Sequence, residues 1–414
     1  MHFAQGVLGI AAILGFAWLV SENRRAFPWR TVIAGMLLQL LVATVLLKVP
    51  QFKGVFLALN EALMSLERAT AAGTTFVFGF LGGGELPYAE TAPGRSFVLA
   101  FRALPLVLVV SALSSLLFYW RVLPAVVRAI SRVLQRVMGV GGAVGLSAAA
   151  DVFVGMIEAP LLVRPYLQAM TRGELFSVMT CGMATIAGTV MFLYASFLAN
   201  SMPDAMGHII TASLVSTPGA ILLAAVMVPA GERVTTGELT PPQPASSSMD
   251  AIAKGAIAGV ELLINIVAML VVFVALVHLA NLVLGLLPPW AGEPVTLQRA
   301  LGVLMAPVMW LIGIPWEEAG AAGALMGTKT ILNEFIAYLD MAALPEGALS
   351  ARSQTIMLYA MCGFANFGSL GILIGGLGTM APDRREEIVQ LGLRSVLSGT
   401  LATLLTAAIV GLFI

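Results

Sequence analysis

The chain has 414 residues, of which 59% are hydrophobic and 11% are charged, and its formal net charge is zero. Soluble domains carry about 25% charged residues, so a mean hydropathy of +0.95 excludes an ordinary soluble protein and predicts a multi-pass membrane protein. The neutral charge balance also argues against nucleic-acid binding, which needs a basic surface.

Apolar stretches that approach or exceed the roughly 20 residues of a spanning helix recur along the chain. No small-residue cleavage site follows the first of them, so we expect it to remain as a span rather than act as a signal peptide. The predicted spanning helices cover residues 4–20, 31–48, 97–120, 175–199, 208–229, 258–287, 299–315, 354–379 and 391–413.

Two further segments, 51–70 and 121–138, carry charged side chains within a helical pattern and are predicted to lie at the membrane interface. We expect the arginines of the second segment to form a solvated helix face rather than an anion site. Arg24, Arg25 and Arg30 lie between the first two spans, so the positive-inside rule places that loop in the cytoplasm.

Residues 142–170 and 317–346 are apolar but interrupted by charged residues, so neither makes a comfortable lipid-exposed span. Broken backbone at membrane depth is tolerated only where it is buried in protein, and we therefore predict two re-entrant helical hairpins. The interrupting residues are Asp151 and Glu158 in the first hairpin and Lys329 and Glu334 in the second. We expect Lys329 to snorkel to the interface or to cap a helix; the alternative is that it pairs with a hairpin carboxylate.

An internal repeat relates the two halves of the chain. Residues 181–184 and 362–365 both read Cys-Gly-x-Ala, and each follows one of the predicted hairpins. Corresponding broken segments in two halves are typical of a secondary transporter, whose substrate lies where the repeats meet. The chain has two cysteines, both in this repeat, and we expect them to be packing residues rather than a disulfide or a metal site.

Carboxylates inside the membrane need a reason to be there. A charged side chain at the centre of a spanning helix costs about 2.5–3.5 kcal/mol on insertion scales. Asp151, Glu158 and Glu334 therefore indicate a ligand and ion site in a polar cavity, which Asn366 and Ser369, one helical turn apart, can also face. The alternative is a set of buried polar groups that only bonds the hairpin tips.

Five segments carry a distinctive set of motifs. They are 155–160 (Gly-Met-Ile-Glu-Ala-Pro), 314–319 (Ile-Pro-Trp-Glu-Glu-Ala), 326–329 (Met-Gly-Thr-Lys), 333–338 (Asn-Glu-Phe-Ile-Ala-Tyr) and 363–369 (Gly-Phe-Ala-Asn-Phe-Gly-Ser). The last four resemble the concentrative nucleoside transporters, and the first looks like that family's Gly-Gln-Thr/Ser-Glu hairpin motif. Residues 97–119 resemble its third span.

The resemblance implies an all-α polytopic membrane protein of the inner membrane, with about eight transmembrane helices plus two re-entrant helical hairpins in an inverted repeat, and with interfacial helices. It also implies a homotrimer in which each protomer moves one nucleoside with a cation, while a transport domain shifts against a scaffold. We accordingly expect scaffold and interfacial helices over 1–138, the first half of the transport domain over 139–230, a polar linker and the start of a long helix over 231–257, a scaffold or oligomerisation helix over 258–315, and the second half of the transport domain over 316–414.

Several residues of this chain match positions that bind substrate in the family. The second-hairpin glutamate and the following Asn and Ser, which bind ribose hydroxyls there, map onto Glu334, Asn366 and Ser369. The first-hairpin glutamate maps onto Glu158, and Phe364 fits the aromatic residue that lines the pocket. The remaining predicted substrate residues are Gly155, Met156, Ile157 and Val190, with Met191 near the base.

The first departure from the family pattern concerns the nucleobase. Met156 and Ile157 replace the Gln and Thr/Ser that hydrogen-bond the base, and neither side chain can make those contacts. A buried polar group left without a partner costs about 1–3 kcal/mol. We therefore expect the sugar subsite to be kept and base selection to change, toward an apolar or purine-like preference, a modified nucleoside or water-mediated recognition. The alternative is that the substrate is a solute other than a simple nucleoside.

The second departure concerns the coupling cation. Asp151, Val154, Thr185 and Ile186 occupy the positions that hold sodium in the family, with Asp in place of the family's Asn. Oxygen ligands suit a hard cation. Asp151 could strengthen Na⁺ binding through its charge, which we favour, or carry H⁺ as intramembrane carboxylates in transporters do. Alternatively it caps a helix that begins at Val152. No other cofactor is expected.

Two functions of other classes compete with transport. A membrane-embedded enzyme with paired acids would have to use Asp151 and Asp340, neither of which lies in a recognisable catalytic motif. A nucleoside-gated sensor or channel would bind the same ligand without concentrating it. We expect no enzymatic activity, and partners limited to the nucleoside, the cation, the lipid bilayer and further copies of the chain.

Overall fold

The computed structural model describes residues 2–89, 96–198, 202, 204–229, 235–237, 245–289, 292 and 294–414. All regular secondary structure within these residues is helical. In the first half of the chain the α-helices are α1 (His2–Leu19), α2 (Trp29–Lys48), α3 (Pro50–Phe78), α4 (Leu99–Arg102), α5 (Leu106–Tyr119), α6 (Val122–Met138), α7 (Gly142–Ala150), α8 (Glu158–Leu161), α9 (Arg172–Ala184), α10 (Gly188–Leu198) and α11 (Ala205–Met227).

The second half contains the remaining α-helices. They are α12 (Ser248–Leu284), α13 (Leu297–Leu311), α14 (Trp316–Ile331), α15 (Glu334–Ala342), α16 (Ala351–Met361), α17 (Phe367–Met380) and α18 (Arg385–Gly411). Three short 3₁₀ helices lie at Gly79–Gly82, Arg164–Tyr166 and Pro382–Arg384.

The length and composition of the helices support the predicted spans. Six helical segments in the described residues are long and apolar enough to cross a membrane: Trp29–Lys48, Leu99–Tyr119, Arg172–Leu198, Ala205–Met227, Ser248–Leu284 and Pro382–Gly411. Three shorter apolar helices coincide with the predicted spans 4–20, 299–315 and the second part of 354–379. The prediction of one continuous helix is wrong for 354–379, where the chain unwinds between Met361 and Phe367, and for 175–199, where it unwinds between Ala184 and Gly188.

The internal repeat is visible in the order of the helices. A helix–turn–helix (α7 and α8, then α14 and α15) precedes a broken helix (α9 and α10, then α16 and α17), which precedes a long helix (α11, then α18). The two breaks contact each other, since the Phe364 amide donates to the Thr185 carbonyl at 3.1 Å. The repeat therefore brings four interrupted segments to one region of the molecule.

The two hairpins differ in regularity. Hairpin 2 turns within two residues, because the Asn333 side chain accepts from the Ile336 amide at 2.9 Å and starts α15 as its N-cap. Hairpin 1 has a seven-residue turn, 151–157, and its second arm is only the four-residue α8 followed by the 3₁₀ turn. Pro160 and Pro165 lack the amide hydrogen that a longer helix would need.

The predicted interfacial segments are helical. In α6, Arg128, Arg132 and Arg136 are exposed while Val127 and Leu134 are buried, as expected for a solvated face. The helix ends at a glycine with a left-handed conformation, Gly139. The second segment, 51–70, forms part of the longer α3.

The predicted polar linker is only partly described. Most of residues 231–244 lie outside the described residues. The long helix predicted to follow the linker begins at Ser248, where the Ser247 side chain accepts from the Asp250 amide as an N-cap. The division into scaffold and transport domains stays a prediction.

Candidate functional site

The beginnings of two helices frame the site in the second half of the chain. Glu334 is the first residue of α15, and Asn366 is the N-cap of α17. The Asn366 side-chain oxygen accepts from the Ser369 amide at 2.7 Å, which fixes the orientation of the amide group. Both positions lie at the positive end of a helix dipole, where negative charge is stabilised.

The Glu334 carboxylate is held from two sides. Its Oε1 accepts from the Tyr194 hydroxyl at 2.7 Å, and its Oε2 accepts from Asn366 Nδ2 at 3.0 Å. Glu334 is 3% exposed, so both bonds are made away from solvent. Hydrogen bonds to a charged acceptor are shorter and stronger than neutral ones, and a buried carboxylate needs such partners.

Lys329 contacts the unwound segment between α16 and α17. Its side chain is fully buried, and Nζ donates to the Ala365 carbonyl at 2.9 Å. The expectation that it snorkels to the interface is therefore wrong. Its charge also interacts with that of Glu334, so the lysine ties hairpin 2 to the break between α16 and α17.

The equivalent acid of hairpin 1 is in a different environment. Glu158 is exposed, whereas Asp151 and Glu334 are buried. Its Oε2 lies 2.2 Å from where a β-carbon on Gly155 would be, so the glutamate folds back over the glycine. Glu158 is predicted to face a polar cavity, and an exposed carboxylate is compatible with that prediction. The short, irregular second arm of hairpin 1 leaves it at the surface of the protomer.

The two residues predicted to face the base make apolar contacts. Met156 is buried, and its Cβ lies 2.8 Å from the position of a β-carbon on Gly182. Ile157 is half-buried, and its Cδ1 lies 2.2 Å from the corresponding position on Gly376 in α17. Both contacts require glycine on the opposing helix, so these side chains pack hairpin 1 tightly against α9 and α17.

The remaining predicted substrate residues lie on the broken helices. Val190 and Met191 are buried in α10, one turn after the first break. Phe364 is half-buried within the second break, and Ser369 is buried in the first turn of α17. Their roles toward a substrate stay predictions.

The residues predicted to hold a cation lie on two adjacent segments. The hairpin 1 turn carries Asp151 and Val154, and the first break carries Thr185 and Ile186. The Gly188 amide donates to the Phe153 carbonyl at 3.0 Å and joins the two segments.

Asp151 is the most unusual side chain of the site. It is 1% exposed, and neither of its carboxylate oxygens has a hydrogen-bond partner. No helix begins at Val152, and Asp151 instead follows the last residue of α7, so the helix-capping interpretation is wrong. An isolated buried carboxylate is costly unless it is paired, protonated or coordinated to a cation.

The oxygen types present on the two segments fit a hard cation. Thr185 is buried and its hydroxyl donates to the Cys181 carbonyl at 2.9 Å, which leaves the oxygen's lone pairs free. Carboxylate, hydroxyl and carbonyl oxygens are the ligand types that such cations prefer. The described residues hold no cluster of three or more His, Cys, Asp or Glu that would suit a transition metal.

The cysteines and Asp340 take no part in this site. Cys181 and Cys362 are free and buried, as expected for packing residues. Asp340 lies on the exposed side of α15, where it interacts with Thr328. The structure therefore gives the paired-acid enzyme no shared centre for Asp151 and Asp340.

One residue of the site was missed by sequence reasoning. Tyr194 lies in the apolar helix α10 and looked like an ordinary packing residue. Its hydroxyl was the available signal, because a buried tyrosine hydroxyl usually finds a hydrogen-bond partner.

Comparison with known proteins assigns the chain to a family. The model described as "Na+ dependent nucleoside transporter C-terminus" matches residues 208–411, the corresponding N-terminus model matches residues 8–81, and a "Nucleoside recognition" model matches residues 100–201. The nucleoside permease NupC of Helicobacter pylori is 36% identical, with 99% of this chain and 97% of the relative covered. An uncharacterised transporter of Haemophilus influenzae is 38% identical, with 100% and 98% covered.

Solved structures of similar sequence share the fold. CNTnw in an inward-facing substrate-bound state has a TM-score of 0.91 and 37% identity, with 100% of this chain and 98% of the other covered. An outward-facing variant of CNTnw has a TM-score of 0.92. The TM-scores are thus similar for the inward-facing and the outward-facing structures.

The fold and its paired interrupted helices define a multi-pass helical membrane transporter. The similar proteins are transporters too, which rules out the interpretation of the chain as a membrane-embedded enzyme. Within that class, the chain belongs to the Na⁺-dependent nucleoside transporter family. The family resemblance seen in the sequence is confirmed. The exact number of membrane spans, given as about eight, stays a prediction.

Proposed function

We propose that the protein is a cation-coupled symporter of the inner membrane that imports nucleosides by alternating access. Glu334, Asn366 and Ser369 bind the ribose, and Asp151, Val154, Thr185 and Ile186 bind the coupling cation, which we take to be sodium. Moving one charge down 100 mV supplies about 2.3 kcal/mol, enough for roughly fortyfold accumulation. One cation per nucleoside therefore suffices.

The contact between Glu334 and Asn366 carries this proposal. It joins hairpin 2 to the break of the second broken helix, at 3.0 Å and away from solvent. A carboxylate and an amide oriented side by side match the donors and acceptors of sugar hydroxyls. Substrate bound there contacts both elements at once, so its presence can be coupled to their movement.

The sugar site is tested by Glu334→Gln in a vesicle uptake assay. We expect ribonucleoside uptake to fall at least about 100-fold, since two hydrogen bonds to a charged group are weakened at about 1.5–3 kcal/mol each. The matched control is Glu346→Gln, because Glu346 lies on the exposed loop after α15. Near-normal uptake by a correctly folded Glu334→Gln protein would exclude the sugar-site assignment.

The altered hairpin motif bears on which base is carried. We propose that Met156 and Ile157 change nucleobase selectivity relative to family members with Gln and Thr or Ser. The double replacement Met156→Gln and Ile157→Thr should shift the order of preference in a competition assay with a panel of nucleosides. An unchanged order would show that these side chains only pack hairpin 1, and would favour a non-standard nucleoside-like cargo read elsewhere.

A further inference from the structure

The hydroxyl of Tyr194 connects the two halves of the protein at the substrate site. Tyr194 belongs to α10 in the first half, whereas its partner Glu334 belongs to hairpin 2 in the second. The hydroxyl–Oε1 distance is 2.7 Å, shorter than the 3.0 Å from Asn366 to Oε2. Tyr194 is 2% exposed, so no water competes with its bond.

Neighbouring aromatic rings fix the position of this hydroxyl. The Tyr194 ring lies 6.1 Å from that of Phe335 in an edge-to-face arrangement and 5.2 Å from that of Tyr338. Phe197, one turn further along α10, packs edge-to-face on Phe335 at 5.2 Å. Such pairs have preferred geometries, so the phenol is held rigidly against hairpin 2.

The position equivalent to Tyr194 in the other half of the repeat is a glycine. The repeat that aligns Cys181 with Cys362 aligns Tyr194 with Gly375. The neighbouring Gly376 contacts Ile157 of hairpin 1, and Glu158 is exposed. The tyrosine is therefore one of two donors, with Asn366, that distinguish the environment of Glu334 from that of Glu158.

We infer that Tyr194 is a positioning residue for ribose recognition; this rests on the proposed role of Glu334. Tyr194 fixes one oxygen of the carboxylate and Asn366 fixes the other. The plane of the carboxylate is therefore set by two donors that lie on different elements. Each carboxylate oxygen can accept two hydrogen bonds, so a sugar hydroxyl that donates to Glu334 meets an acceptor whose orientation is already fixed.

The test is Tyr194→Phe, which removes the hydroxyl and keeps the ring. We expect the KM for uridine and adenosine uptake to rise about tenfold, the scale of one hydrogen bond to a charged group. The preference for ribonucleosides over 3′-deoxynucleosides should fall, because the carboxylate is no longer fixed. The dependence of uptake on sodium should not change.

Tyr338→Phe is the matched control. Tyr338 lies in the same aromatic cluster, but its hydroxyl donates to the Leu358 carbonyl at 2.9 Å and not to the carboxylate. We expect this variant to keep the wild-type preference for the 3′-hydroxyl. If both variants behave alike, in preference as well as KM, the positioning role of Tyr194 is overturned.

Two further measurements keep the outcomes separate. If Tyr194→Phe does not fold, 3-fluorotyrosine at position 194 changes the strength of the donor while retaining the ring. An unchanged preference for ribonucleosides over 3′-deoxynucleosides then overturns the inference. If Glu334→Gln transports normally, the proposed sugar site itself fails. Loss of uptake in Glu334→Gln together with wild-type selectivity in Tyr194→Phe overturns only the role of Tyr194.

Discussion

At the residue scale, the unpaired carboxylate of Asp151 is the strongest indication of a cation site. A buried charged group without partners destabilises the fold, whereas the Glu334 carboxylate has two donors. A cation at Asp151 would supply the missing partner. The asymmetry between the two acids therefore supports the proposal of a cation site at Asp151 and of a sugar site at Glu334.

Asp151→Asn should reveal the cation through stability. A ligand present at 100 times its Kd stabilises the folded state by about 2.7 kcal/mol, so the Tm of the wild-type protein in detergent should rise with NaCl relative to choline chloride. Without sodium, Asp151→Asn should unfold at the same or a higher temperature than wild type, because the uncompensated charge is gone. Its sodium-dependent increase should be smaller.

Glu67→Gln is a suitable control, since Glu67 is a half-buried acid of α3 whose hydrogen-bond partner is Ser196 of α10 rather than a residue of hairpin 1. An Asp151→Asn protein that keeps the full sodium-dependent rise in Tm would contradict a sodium site at this carboxylate. If the same variant lost only the pH dependence of uptake, the coupling ion would be a proton.

At residue level, sequence reasoning found the acids but not their surroundings. Glu334, Asn366 and Ser369 were predicted from motifs, because polar residues stand out in an apolar segment. The burial of Asp151 and Glu334 and the exposure of Glu158 could not be predicted, since all three occur in apolar contexts in the sequence. Those differences arise from contacts between distant helices.

At the level of elements, a charge network holds three helices and a loop together. Glu22, in the loop between α1 and α2, accepts from Arg172 at 3.0 Å and from Arg394 at 3.1 Å. Arg172 also pairs with Glu387 at 3.5 Å. The loop is anchored further by the Glu22 amide, which donates to the Met227 carbonyl at 2.9 Å. These contacts join the loop between α1 and α2 to α9, α11 and α18.

Glu22→Gln should weaken this network by about 1 kcal/mol, because partly exposed ion pairs contribute little individually. The hydrogen bond from Arg172, and the charges of Arg172 and Arg394, lower the pKa of Glu22 despite partial burial. A lowered pKa in the folded state gives stability that is present above the ordinary pKa and is lost as the pH falls through the lowered value.

The difference in Tm between wild type and Glu22→Gln should therefore be largest at neutral pH and shrink below about pH 4.3, the ordinary value for glutamate. Glu61→Gln, on the exposed side of α3, should show no such difference. A gap in Tm that stays constant from pH 7 to acid conditions would contradict the role of the Glu22 charge.

The elements were predictable where composition alone decides them. Long apolar stretches such as Ala205–Met227 gave the correct helices, because apolar length is sufficient to specify a span. The unwound segment 362–366 was not predicted within the span at 354–379, because the segment contains no proline. Instead, Asn366 caps a new helix there, and the opposing break at Thr185 supplies a backbone partner.

At the scale of the whole molecule, α12 presents apolar surface that the protomer does not cover. None of the most apolar 18-residue window of Ser248–Leu284 is buried within the chain, and Ile264 and Val271, seven residues apart, are both largely exposed. This surface must face lipid or another protomer. Together with the family resemblance, it supports the prediction of a homotrimer.

Native mass spectrometry of the protein released from nanodiscs should give three times the mass of the chain. Small-residue and apolar helix faces associate in membranes through packing, and α12 is the longest such helix described. A monomer as the dominant species under conditions that preserve nucleoside binding would contradict the trimer.

Concentrative uptake into proteoliposomes is the most direct test of cation-coupled nucleoside import. Purified protein is reconstituted, an inward sodium gradient is imposed, and labelled ribonucleosides are measured inside and outside. We predict that the internal concentration exceeds the external one, and that the excess disappears when sodium is equal on both sides. Equilibration without accumulation under both a sodium and a proton gradient would contradict a cation-coupled nucleoside symporter.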